Sequence, residues 1–127
     1  MTTVETIHVA RHGELHAGPP TAGMSRSQAF ASGELWVGEV RTAAGAISGW
    51  HHHGTHTTVG RVLSGVLRLE FGAGGGERIE AGPGDFFLIP PHVVHRESNP
   101  AADEQVLVVI RSGSGATVEN AEGPAPE

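Results

Sequence analysis

The chain has 127 residues and a formal net charge of −6, with 38% hydrophobic and 17% charged residues, 19 glycines and 8 prolines. That length allows one domain with a real core, and the apolar share excludes a disordered chain. The acidic balance excludes a general nucleic-acid footprint, and the absence of cysteine excludes disulfide scaffolds, thiolate catalysis and cysteine-ligated metal centres.

Residues 1–30 read as an N-terminal arm. Val4, Ile7 and Val9 offer an edge strand, whereas Gly18-Pro19-Pro20 and Gly23 forbid a continuous helix. His8, His12 and His16 are spaced by four, but Gly13 interrupts any helix there, and surface histidines are expected. The first residues carry neither a basic nor an apolar leader pattern, and no run approaches the ~20 apolar residues of a membrane helix. A cytoplasmic protein without membrane contact is expected. From Glu34 the punctuation becomes regular. Strands are predicted over 34–42, 46–51, 57–63, 66–71, 78–80, 86–89 and 105–111, with turns at Ser64-Gly65, at 72–76, at 81–85 and at Pro90-Pro91. About eight short strands with turn chemistry between them predict an all-β sandwich or closed antiparallel barrel, compatible with the two Greek keys of a jelly roll. The barrel is assigned to 31–111, and 112–127, rich in Gly, Ser, Glu and Pro, to a flexible C-terminal tail.

Four of the nine histidines fall between positions 51 and 56. On a strand, residues two apart share a face, so His51 and His53 can converge on one ion while His52 points away. His56 follows Gly54-Thr55, where a bend can restore the inward direction, and it shares parity with Thr58, Gly60 and Val62. His95 comes from a distant segment behind the Pro90-Pro91 turn. Imidazole donors suit Zn, Cu, Fe, Ni and Mn, so residue type does not choose among these divalent metals. Trp36, Trp50, Phe86 and Phe87 read as core or barrel-wall residues. Arg61 and Arg68 read as solvated strand faces or interface residues.

At these positions the sequence resembles the cupin superfamily, small single-domain metal-binding members in particular. Gly45, His51, His53 and Gly65 stand at the intervals of the first cupin motif, and Gly84, Pro90, His95 and Asn99 at those of the second. The resemblance implies a double-stranded β-helix, the jelly-roll barrel, with a divalent metal inside it. Two positions depart from the motifs. Thr58 stands where the acidic ligand is usual, so His56 is the expected substitute, giving a site of His51, His53, His56 and His95; three histidines with water is the competing arrangement. His92 stands where the tight turn usually has Gly, which predicts a non-Gly residue at positive φ.

The resemblance implies action on a small oxygen-chelating organic molecule, as a dioxygenase or an isomerase or cyclase. Without a carboxylate ligand the metal keeps its full charge, which favours enolates, diketones and other anionic chelates. No residue beyond the histidines is singled out as a general base. The alternative is a non-catalytic binding or sensing module with a structural metal. Such cupins commonly pair through their arms, so a homodimer is expected.

Overall fold

The computed structural model describes residues 6–19, 21 and 23–126; Val4 and Pro20, named for the arm, lie outside the described residues. Strands run β1 (His16–Ala17), β2 (Met24–Ser32), β3 (Leu35–Thr42), β4 (His51–His52), β5 (Thr57–Ser64), β6 (Leu67–Phe71), β7 (Glu77–Ala81), β8 (Phe86–Ile89), β9 (His95–Ser98), β10 (Gln105–Ser112) and β11 (Glu119–Asn120). A 3-10 turn at His12–Glu14 is the helical content among the described residues, and no helix there is long and apolar enough to cross a membrane. The strands form a six-stranded sheet in the order β1-β2-β3-β10-β5-β8 and a five-stranded sheet in the order β11-β4-β9-β6-β7. All the strand pairings are antiparallel. This is the expected all-β jelly roll.

Alternation builds the core between the sheets. On β5, Thr58, Gly60 and Val62 are buried, whereas Val59, Arg61 and Leu63 face outward. On β10, central between β3 and β5, Gln105, Leu107, Val109 and Arg111 take the inward face. Met24, Val40, Val62, Leu67, Leu69, Ile89, Leu107 and Val109 form the apolar cluster. The Ser64-Gly65 turn brings β6 back across the second sheet. Gly65 has φ 72°, and a Cβ there would lie 2.7 Å from the Gln105 Cα, so both conformation and space require glycine.

Asn99 ties the loops together from full burial. Its side-chain amide donates to the carbonyls of Thr42 and Asp103, and its oxygen accepts from the amides of Val66 and Ala101. Asn99, a position of the second motif, thus has a structural duty.

Several elements differ from the sequence reading. Met24 to Phe30, assigned to the arm, belong to β2, which pairs along β3 with a bulge between Gln28 and Phe30. The 46–51 strand shrinks to β4, preceded by an isolated bridge from Ile47 to Ser98. The C-terminal segment contributes β11, which pairs with His51 and His52. Trp36, Phe71, Ala81 and Phe87 pack against the core, but Phe86 is 77% exposed, because adjacent strand residues take opposite faces. Trp50 carries the Arg96 guanidinium over its ring. Arg61 lies over Phe86, and Arg68 pairs with Glu80 at 2.7 Å. His8, His12 and His16 are exposed.

Candidate metal centre

β4 and β9 are hydrogen-bonded neighbours with His51 directly opposite His95, and His53 follows on the inward parity of β4. The three rings are buried, and their centroids lie 4.4 to 5.1 Å apart. One ligating nitrogen from each lies within 4.8 Å of the others. Each Nδ1 meets a backbone carbonyl: His51 that of Gly49 at 2.8 Å, His53 that of Thr117 at 2.7 Å, His95 that of Val93 at 2.9 Å. A carbonyl only accepts, so each Nδ1 carries a proton, and Nε2 is the nitrogen each ring has for a metal. The His95 Nε2 is buried with no hydrogen-bond partner. Three imidazoles, each with its Nδ1 held by a backbone carbonyl and its Nε2 turned to the cluster, fit a divalent transition metal.

Burial lowers the His53 pKa to about 3, helped by the charge of Arg111 and opposed by the hydrogen bond to Thr117. Burial also lowers that of His95, opposed by its bond to Val93 and by the Glu97 carboxylate. Both rings are therefore held neutral, the state a metal requires.

His52 points away as parity demands; its Nδ1 accepts from the Gly54 amide and stands 3.8 Å from Glu119. His56 is inward and buried, yet it does not join the cluster among the described residues. A turn from the His53 carbonyl to the His56 amide carries it to the opposite sheet, where its Nε2 donates to the Gly115 carbonyl at 3.2 Å. The expected four-histidine set thus becomes a three-histidine cluster. Thr58 is buried with its hydroxyl unpartnered. His92 adopts φ 62°, is exposed, and donates its amide to the Gly54 carbonyl.

Two charged residues escaped the sequence reading. Glu97 follows His95 by two and shares its face; Arg111 shares the inward face of Leu107 and Val109. Strand parity, applied to polar residues as well as apolar ones, would have found both. They line a cavity of about 290 Å³ with His51, His53 and Arg26. Arg111 is 8% exposed, makes no ion pair among the described residues, and its Nε is buried without a partner. Its guanidinium stacks 5.3 Å from the Trp36 ring centroid. A buried unpaired charge costs several kcal/mol, more than the about 0.5–2 kcal/mol a cation–π contact returns.

Solved structures of the same shape include KdgF from Halomonas sp., 24% identical, covering 86% of this chain and 96% of its own, with a TM-score of 0.70. An RmlC-like cupin from Shewanella frigidimarina is 23% identical, covers 86% of this chain and 93% of its own, and scores 0.69. An oxalate oxidase in complex with the substrate analogue glycolate is 20% identical over 77% of this chain and 55% of its own, and scores 0.63. At these identities the likeness is one of fold. No curated protein sequence matches the chain. The family pattern described as "Cupin domain" matches residues 38–111, more than half of the length and both histidine segments, so the chain belongs to the cupin family.

Proposed function

We propose that the chain is a metal-dependent cupin that acts on a small oxygen-chelating organic molecule, as a dioxygenase or an isomerase or cyclase. The observation that carries this reading is the convergence of His51, His53 and His95, each with Nδ1 committed to a carbonyl and Nε2 free for a metal. Three protein donors leave room for a ligand or water, whereas structural sites are closed by four. A divalent ion held there supplies Lewis acidity toward chelating oxygen atoms and, as Fe, Mn or Ni, access to dioxygen chemistry.

The chain's own residues supply the rest. Glu97 lines the same cavity as His51 and His53 and offers the carboxylate that can hold or accept a substrate proton. Val40, Ile89, Leu107 and Val109 form an apolar floor behind the cluster that keeps water out. A cytoplasmic setting belongs to this reading, and fractionation of producing cells tests it.

The decisive experiment loads the protein with Co(II), whose spectrum reports its ligands, and adds acetylacetone, a flavonol and pyruvate in turn. A spectral change with oxygen uptake in the Fe, Mn or Ni form supports a dioxygenase; conversion without oxygen uptake supports an isomerase or cyclase. If no chelate perturbs the spectrum and metal removal unfolds the barrel, the enzyme reading fails and a binding module with a structural metal replaces it.

A further inference from the structure

The cavity beside the histidines is cationic in a protein that is acidic overall. Arg111 from β10 and Arg26 from β2 both line it, with Glu97 as the one carboxylate among its lining residues. Placing two guanidiniums on one cavity wall opposes them to each other, and the buried one lacks any ion-pair partner among the described residues. Arg26 is half-buried, and its side-chain hydrogen bond runs to the neutral Thr21 hydroxyl at 3.3 Å. A core built only for stability has no use for this arrangement. Folding holds it because strand parity fixes Arg26 inward on the row of Met24 and Gln28, while the Trp36 ring supports Arg111.

We propose that Arg111 and Arg26 form a subsite for a carboxylate borne by the ligand, beside the metal-binding histidines. This rests on the proposed reading of the histidine cluster only for where the chelating end of the same ligand lies. Guanidinium forks match a planar carboxylate in geometry, and they gain most where water is thin. The local charge count selects the valence. In the metal-free cavity two arginines less Glu97 leave one uncompensated positive charge, which suits a single carboxylate and disfavours a dianionic phosphate there. Both arginines line this cavity of about 290 Å³ and a neighbouring one of about 590 Å³, so the subsite selects the carboxylate and leaves room for the rest of a small organic acid.

Acetylacetone and acetopyruvate make a matched pair of probes: the same diketone, with a carboxylate replacing one terminal methyl in the second. Calorimetric titration of metal-free and Zn(II)-loaded protein compares them, with zinc content measured separately. Acetopyruvate is expected to bind about tenfold or more tightly than acetylacetone in both forms. Arg111→Met and Arg26→Met should each remove that preference without changing zinc content. Arg111→Met retains side-chain bulk in the core; should it fail to fold, Arg26→Met at its half-exposed site decides alone. Equal affinity for the two probes in the unaltered protein would overturn the subsite, as would a preference that survives the substitutions. Inorganic phosphate displacing acetopyruvate at equal concentration would overturn the assignment to a carboxylate. Failure of the unaltered protein to take up zinc would sink the metal reading, while the metal-free titration still decides this one.

Discussion

Each ligand imidazole divides its two nitrogens between a backbone carbonyl and the site, and that division sets what substitution does. His51→Ala, His53→Ala and His95→Ala should each abolish stoichiometric metal, whereas His52→Ala and His56→Gln should retain it; metal analysis of purified protein checks the contrast. Acid should weaken the metal-free fold. Unfolded histidine titrates near ~6.5, but burial holds His53 at about 3 and lowers His95 as well. Below ~6.5 the unfolded chain takes up protons that the folded chain refuses. Stability is therefore full above that value and falls as pH drops below it, by at most about 1.4 kcal/mol per pH unit for His53, with His95 acting in the same direction. Urea midpoints of chelator-treated protein between about pH 7 and about pH 5 measure it; a flat profile would contradict neutral burial. His51, His53 and His95 were legible from parity and motif spacing. His56 lies outside that cluster because parity predicts direction and not reach: its ring is inward, yet the His53–His56 turn delivers it to Gly115.

At the level of elements, the C-terminal segment is part of the site. Thr117 orients His53, Glu119 and Asn120 pair with His52 and His51, and the Ala121 amide donates to the Trp50 carbonyl. A chain ended after Gly115 should keep its β circular dichroism but bind metal about 10–100-fold more weakly, the usual cost of losing a ligand's supporting hydrogen bond. Strands β5, β6, β8 and β10 were legible as short apolar runs bounded by glycine and proline turns. Strand β2 was hidden: its inward row is Met24, Arg26 and Gln28, so the face that lines the cavity is mostly polar and shows no apolar period. Strand β11 is two residues long and owes its form to β4.

In the molecule as a whole, strand β8 leaves an apolar sheet edge unpaired among the described residues. Strand β8 ends the six-stranded sheet, with Phe86 77% and Leu88 61% exposed beside outward Val59, Val108 and Ile110. In the arm, Ile7 is 100% and Val9 63% exposed, so neither packs against an edge of its own chain. An open edge with apolar side chains invites a second copy. A homodimer is expected by light scattering, and Phe86→Glu combined with Leu88→Lys should give a monomer with unchanged metal content. A last consequence concerns the order of events during assembly. His51 and His95 are 44 positions apart, and His53 meets Thr117 across a separation of 64. Closing loops of that size costs entropy that a lone ion caught by a flexible chain does not return. A metal bound at the proposed centre would therefore be captured after the polypeptide collapses, the reverse of a zinc finger, where binding is folding. Refolding under a chelator should proceed at the same rate as with metal present, and ions should enter only as a slower, separate phase.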